Sequence, residues 1–159
     1  MSRKKPTDEQ LANQRRHMAR RLALQAIYQW QITGHSLNEL MAQFSRDQDY
    51  PKADPDYFRS LVAGVLDNQP DIDEKLKPFL PRDIELVDAI ERAMLRLAVE
   101  EFSSHPETPY RVVLNEAIDL VKLFGAVGAH RFINGVLEKL WRDLRPLEAK
   151  AQLSGRSAS

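Results

Sequence analysis

The side chains best suited to bind an anionic ligand lie in a short run near the amino terminus. Arg15, Arg16, Arg20 and Arg21 fall close together, and Tyr28 follows them. Guanidinium groups bind phosphates through paired hydrogen bonds, and an aromatic ring can stack on an unpaired base. These residue types therefore indicate contact with a nucleic acid.

The same segment has the period of an amphipathic helix. Its apolar residues recur at intervals of three and four, as a buried helical stripe requires; they are Ala19, Leu22, Ala23, Ala26, Ile27 and Trp30. The arginines and Tyr28 lie off this stripe. We expect the helix to bury its apolar side in a core and to offer Arg16, Arg20 and Tyr28 on the other side.

The charges of the chain favour an anionic partner at the amino terminus. The net charge is zero, but residues 1–21 carry seven Lys or Arg against two acidic residues, which leaves the rest of the chain at −5. Arg3, Lys4 and Lys5 extend the basic end upstream of the helix. Charge alone leaves two alternatives open, a nucleic-acid site and a solvated basic tail.

Other classes of function find little support in the sequence. There is no cysteine, and the four histidines form no pair with zinc-ligand spacing. The phosphate-binding loop of nucleotide-binding proteins and the nucleophile motif of serine hydrolases are both absent. No apolar run approaches a membrane span or follows the amino terminus as in a signal peptide, so we expect a cytoplasmic protein.

The apolar periodicity predicts an all-α protein of about seven helices. The first four boundaries are a cap at Thr7 or Asp8, a stop at Thr33-Gly34, a capping box from Ser36 to Glu39, and a cap with the first helical position at Asp54-Pro55. We expect that helix to end at 68–70, and a short fourth helix to cover about 71–77. A long helix over about 83–102 should follow Pro78 and Pro81.

Two further helices complete the prediction. One starts at Thr108-Pro109 and stops at Gly125, and the other runs from near Ala129 to just before Pro146. We interpret residues 1–146 as a single RNA-binding domain with two small packed helical halves, about 8–78 and 82–146. Residues 147–159 are polar and are expected to form a flexible tail.

Three segments in this order resemble the NusB family of bacteria. The first two read Arg15-Arg16-x-x-Ala19-Arg20-x-x-Ala23-x-Gln25-Ala26-x-Tyr28-x-Trp30-Gln31 and Tyr57-Phe58-Arg59-x-Leu61-x-x-Gly64-Val65. The third covers 113–125 and continues through His130-Arg131-Phe132-Ile133-Asn134-Gly135-Val136-Leu137-Glu138-Lys139. The resemblance spans about residues 15–140.

The resemblance implies an all-helical, non-catalytic factor of transcription antitermination without a cofactor. Such a factor binds boxA RNA of ribosomal RNA operons together with NusE, a small-subunit ribosomal protein, and joins NusA, NusG and RNA polymerase. It implies that RNA contacts come from Arg15, Arg16, Arg20, Tyr28, Arg131 and Phe132. The partner surface would lie in the carboxyl-terminal half, with Glu85, Glu91 and Arg92 as candidates.

The sequence departs from the family pattern at two places and leaves alternatives open. His17 and Met18 stand in a tract that is often basic, and Val127-Gly128-Ala129 lacks a polar cap for the last predicted helix. A related helical domain occurs in ribosomal RNA cytosine methyltransferases, although no cofactor-binding segment follows Pro146. A helical protein-interaction adaptor is the other alternative, and burial of the arginine face in a homodimer also stays open.

Overall fold

A computed structural model describes residues 4–157 of the chain, including the side chains of residues 4–155; Arg3 of the basic extension lies outside the described residues. This part of the chain forms seven α-helices and no strand, which confirms the all-α prediction. The helices are α1 (Asp8–Thr33), α2 (Leu37–Phe44), α3 (Pro55–Leu76), α4 (Ala89–Ser104), α5 (Tyr110–Phe124), α6 (Ala129–Leu144) and α7 (Pro146–Ser157). Short 3-10 turns cover Tyr50–Lys52, Lys77–Phe79 and Ile84–Leu86.

The chain divides into two compact units, Met1–Ala63 and Gly64–Ser159. The division therefore falls within α3, whereas the sequence predicts a boundary at the proline-containing segment 77–81. The packing of the two predicted halves against each other stays a prediction.

Local capping sets the boundaries of the first three helices. Thr7 and Gln10 form a capping box at the start of α1, and Gly34 ends it in the left-handed conformation with φ 71°. Ser36 and Glu39 form a second capping box at α2. The Asp54 carboxylate accepts the backbone N–H of Tyr57 in the first turn of α3. The predicted starts of α1, α2 and α3 are confirmed.

The first unit buries the apolar side of α1. All members of the predicted stripe are buried except Trp30, which is half-buried. An aromatic cluster lies beside it, in which the Phe58 ring is 5.9 Å from that of Phe44 and 6.1 Å from that of Tyr50. Because α1 is held on this side, its opposite side is left to carry polar groups.

The second unit is built on α4, α5 and α6, each of which packs against the other two. Residues 93–102 of α4 are all buried, so this helix is the most enclosed of the three. Trp141 of α6 stacks on Tyr110 of α5 with ring centroids 3.7 Å apart. Ala129 and Ile133 are buried as well, so the amino end of α6, where two predicted site residues lie, also packs into this unit.

The structure corrects four details of the sequence prediction. Pro70 lies inside α3, which continues to Leu76, so no separate helix over 71–77 exists. The predicted helix over 83–102 is a 3-10 turn followed by α4, which Asp88 caps and which continues to Ser104. α5 begins at Tyr110 rather than Pro109 and has no side-chain cap from Thr108.

The fourth correction concerns the expected flexible tail, whose described part is helical as α7. Glu148 of α7 accepts a hydrogen bond from the backbone N–H of Tyr110 at 2.9 Å, and Gln152 donates to the Tyr110 hydroxyl at 2.6 Å. Glu148 thus supplies the cap that α5 lacks in its own sequence. These long-range contacts hold α7, and residue periodicity could not reveal them.

Candidate nucleic-acid interface

Arg15 is exposed on α1 but is tied to the segment that precedes α3. Its Nη2 donates to the carbonyl oxygen of Ala53 at 3.0 Å. Its own carbonyl oxygen accepts the backbone N–H of Asp54, also at 3.0 Å. Arg15 can therefore offer its remaining N–H groups to a phosphate while one end of the guanidinium stays anchored.

Arg16 and Arg20 lie one turn apart on α1 and share an aromatic neighbour. The guanidinium carbon of Arg16 is 5.2 Å from the centroid of the Tyr57 ring, and that of Arg20 is 5.5 Å from it. Cations at such distances over an aromatic face are attracted by its quadrupole. The structure thus brings together the three arginines predicted for RNA, around residues 53–57.

The exposure of Arg20 contradicts one sequence expectation. Arg16 is half-buried, but Arg20 is only 3% exposed. The prediction that the off-stripe side of α1 presents Arg20 to solvent is therefore wrong. Position on a helical wheel could not show this, because the ring beneath the Arg20 guanidinium belongs to Tyr57 of another helix.

Tyr28 extends the polar side of α1 toward its carboxyl end. It is half-buried and lies eight residues after Arg20, about 12 Å farther along the helix axis. That separation is roughly the length of a few stacked bases. Tyr28 therefore lies about two helical turns beyond Arg20 on the same helix.

The second unit carries the other two predicted RNA residues at the start of α6. Gly128, with φ 85°, precedes this helix and gives no side-chain cap, as the sequence indicated. Arg131 is exposed and Phe132 is half-buried. Phe132 lines a cavity of about 400 Å³ together with Pro81, Arg82, Leu86, Val87, Asp88 and Glu91. Phe132, which was predicted to bind RNA, and Glu91, which was predicted to bind a partner, therefore share one cavity.

The three predicted partner residues differ in how they are placed. Glu85 is exposed, and its carboxylate lies 3.5 Å from Nη2 of the buried Arg96. Arg92 is half-buried, and its Nη1 donates to the backbone carbonyls of Glu85 and Val87. Arg92 thus stabilises the 3-10 turn Ile84–Leu86, whereas the Glu85 carboxylate is exposed to solvent.

Glu91 is half-buried in the first turn of α4 beside this cavity. Burial raises the pKa of its carboxyl, the nearby charge of Asp88 raises it further, and Arg82 lowers it in part. The cavity is thus lined by two carboxylates, Asp88 and Glu91, and one guanidinium, Arg82.

The sequence reasoning did not identify residues 53–57 as part of the site. Tyr57 is buried, as is usual for an aromatic residue in an apolar helical pattern, and this pattern gives no sign of a binding role. The Asp54-Pro55 cap shows that Tyr57 lies in the first turn of α3, but its pairing with α1 joins residues some 40 positions apart. Such a contact leaves no local signal.

Among residues 4–157, no group of three or more His, Cys, Asp or Glu side chains is arranged to hold a metal ion. None of the helices described has both the length and the apolar character needed to cross a lipid bilayer.

Known proteins match this chain in sequence and in fold. A sequence model of the NusB family matches residues 17–142. The transcription antitermination protein NusB of Stenotrophomonas maltophilia (strain R551-3) is 52% identical over 134 residues, which are 84% of each chain.

Two solved structures share the fold. One is described as T. maritima NusB and aligns with a TM-score of 0.73 at 22% identity, over 83% of this chain and 94% of that chain. The other holds the antitermination factors NusB and NusE in complex with dsRNA, and its matching chain aligns with a TM-score of 0.66 at 26% identity, over 80% and 96% respectively. Because the family model spans most of the sequence and a relative is 52% identical along most of its length, this chain belongs to the NusB family.

Proposed function

We propose that this chain is a non-catalytic transcription antitermination factor that binds boxA RNA of ribosomal RNA operons together with NusE. The observation that carries the proposal is the arginine cluster of α1, anchored on residues 53–57, in a member of the NusB family. The relative from Stenotrophomonas bears the name of an antitermination protein. The solved complex of NusB, NusE and dsRNA supports the same two partners.

The mechanism follows from the charges and rings of the proposed site. Arg15 and Arg16 neutralise phosphates and release counterions, while Arg20 adds positive charge from its nearly buried position below them. Tyr28 on α1, and Arg131 with Phe132 on α6, contact unpaired bases and their backbone. Residues 1–146 act in this proposal as one RNA-binding domain, in the cytoplasm where transcripts emerge.

The partner surface in this proposal includes Glu85, Glu91 and Arg92, with Glu91 beside the cavity that Phe132 also lines. The carboxylates of Glu91 and Asp88 at this cavity suit a basic segment of NusE. Contacts to NusA, NusG and RNA polymerase would then be made in the assembled complex. Reversing the charge with Glu85→Lys should weaken binding of NusE without affecting RNA binding by the free protein.

A titration of fluorescent RNA tests the proposal. The probes are a boxA-like single strand, its scrambled form and the corresponding duplex, each with and without NusE and with a sulfated polymer as competitor. We expect preference for the boxA-like strand and a strong dependence on salt. No binding of any of these RNAs, with or without NusE, would contradict the proposal, and equal competition by the polymer would favour a charge-driven adaptor.

Paired substitutions locate the binding surface. Arg15→Ala with Arg16→Ala should lower the slope of log affinity against log salt by about 1.4, since each single-strand phosphate contact contributes about 0.7. The matched control is Lys139→Ala with Arg142→Ala, which removes the same charge from exposed positions of α6. An equal change of slope in both variants would show that only total charge matters.

The oligomeric state is part of the same proposal. A homodimer that buried the arginine side of α1 would compete with RNA for Arg15 and Arg16. We therefore expect RNA to shift any dimer toward monomers in analytical ultracentrifugation. A dimer that persists at saturating RNA would contradict burial of this face.

A further inference from the structure

Tyr57 contacts two of the arginines of the proposed RNA site and is itself withdrawn from solvent. Only 6% of its surface is exposed, and its ring lies below the guanidinium groups of Arg16 and Arg20 at 5.2 and 5.5 Å. A buried ring cannot stack on a base without rearrangement. Its contribution to RNA binding would therefore have to pass through the arginines that it holds.

The backbone around Tyr57 is fixed by neighbouring contacts. The Asp54 carboxylate accepts the Tyr57 N–H at 3.0 Å, and the Asp54 N–H donates to the carbonyl of Arg15 at 3.0 Å. Ala53 accepts a hydrogen bond from the Arg15 side chain. Residues 53–57, which we call the arginine platform, thus contact α1 at Arg15, Arg16 and Arg20.

Support of this kind matters because an arginine side chain has many rotamers. Ordering a flexible side chain upon binding costs free energy, and a group already held in its bound position avoids that cost. A guanidinium that stacks on a ring keeps its N–H groups at the edge of its plane, where they can bind a phosphate with two hydrogen bonds. Lysine would lack both the stacking plane and the paired donors.

We propose that Tyr57 is a positioning residue that holds Arg16, together with the nearly buried Arg20, in the orientation that binds the RNA backbone. The proposal rests on the proposed function, which it deepens by adding a residue that does not touch RNA. The aromatic ring, rather than the hydroxyl, is the part that acts, because the ring faces both guanidinium carbons.

Three variants of the full chain separate positioning from general packing. Tyr57→Leu removes the ring, and Tyr57→Phe keeps it. Phe44→Leu is the matched control, since Phe44 is also a buried aromatic of the first unit, 5% exposed and packed on Phe58. Thermal unfolding of each variant identifies the temperature at which all are fully folded, and RNA binding is measured there.

We expect Tyr57→Leu to weaken binding of boxA-like RNA about tenfold, the scale of one partly desolvated cation–π contact. Tyr57→Phe and Phe44→Leu should stay within about twofold of the unmodified protein. In a double-mutant cycle, Arg16→Ala should cost much less affinity in the Tyr57→Leu background than alone, because both changes remove the same interaction. Additive losses, or an equal loss in Phe44→Leu, would overturn the positioning role.

A spectroscopic signature tests the geometry without RNA. The Nε–H resonances of Arg16 and Arg20 should be shifted by the ring current of Tyr57, should keep that shift in Tyr57→Phe and should lose it in Tyr57→Leu. No RNA binding by the unmodified protein would overturn the proposed function. Strong binding that Tyr57→Leu leaves unchanged would overturn the positioning role alone.

Discussion

Arg145 offers the sharpest test of how the second unit is held together. It follows α6, is 6% exposed, and its guanidinium makes five hydrogen bonds. Four go to backbone carbonyls at the end of α4 and in the loop before α5, and one to a carboxylate of α7; the partners are Glu101, Phe102, His105, Thr108 and Glu148. Arg145→Ala removes all of them at once.

The expected loss can be estimated from the hydrogen bonds that the substitution removes. The carbonyls of Glu101 and His105 keep their backbone hydrogen bonds from His105 and Thr108, so the main losses are the charged bonds to the carbonyls of Phe102 and Thr108 and to the Glu148 carboxylate. At about 1–1.5 kcal/mol each, with water replacing part of every bond, they sum to about 4 kcal/mol, which agrees with the usual cost of breaking a buried charged pair, about 3–5 kcal/mol. This loss corresponds to a fall of roughly 8–16 °C in Tm for a chain of this size.

Urea unfolding followed by circular dichroism measures this loss. Arg145→Lys should recover only part of the stability, because one ammonium cannot reach carbonyls that a planar fork spans. Arg142→Ala on the exposed side of α6 is the matched control and should cost no more than about 1 kcal/mol. If Arg145→Ala lowered the free energy of unfolding by less than about 1 kcal/mol, the buried network would not stabilise this unit.

Two further substitutions test close packing and electrostatics. A methyl group at Gly64 would overlap the buried carboxylate of Glu100, so Gly64→Ala should destabilise by about 1–2 kcal/mol despite its better helix propensity. The same change should become stabilising in a Glu100→Ala background, and destabilisation in both backgrounds would refute the overlap. Because Asp88 helps to raise the pKa of Glu91, Asp88→Asn should lower that pKa in an NMR titration of the Glu91 carboxyl carbon. An unchanged or higher midpoint would refute that electrostatic coupling.

The burial of Arg20 is a feature of the site that the sequence could not predict. Its residue type and its position off the apolar stripe predicted a cation on the polar side of α1. The structure places it there but leaves it only 3% exposed, with its guanidinium over the ring of Tyr57, so Arg20 adds charge to the proposed site rather than an open contact surface. Arg15 and Arg16 retain exposed surface, since their neighbours reach them only in part.

The sequence by itself determined the helical class, the starts of α1, α2 and α3, the glycine stops at Gly34 and Gly125, and the amphipathic character of α1. These features depend on residues within about one or two helical turns of each other, such as the caps at Thr7, Ser36 and Asp54. Local hydrogen bonds and apolar periodicity depend only on residues that are neighbours in the sequence, so they can be predicted without coordinates.

Only the tertiary structure decided the continuity of α3, the formation of α7 and the surroundings of the arginines. Pro70 interrupts the hydrogen bonds of α3, yet the buried Ile72 and Leu76 beyond it show that packing outweighs that loss. Glu148 caps a helix that begins 38 residues earlier. Burial and long-range partners of this kind depend on which segments meet in three dimensions, and no local pattern encodes that.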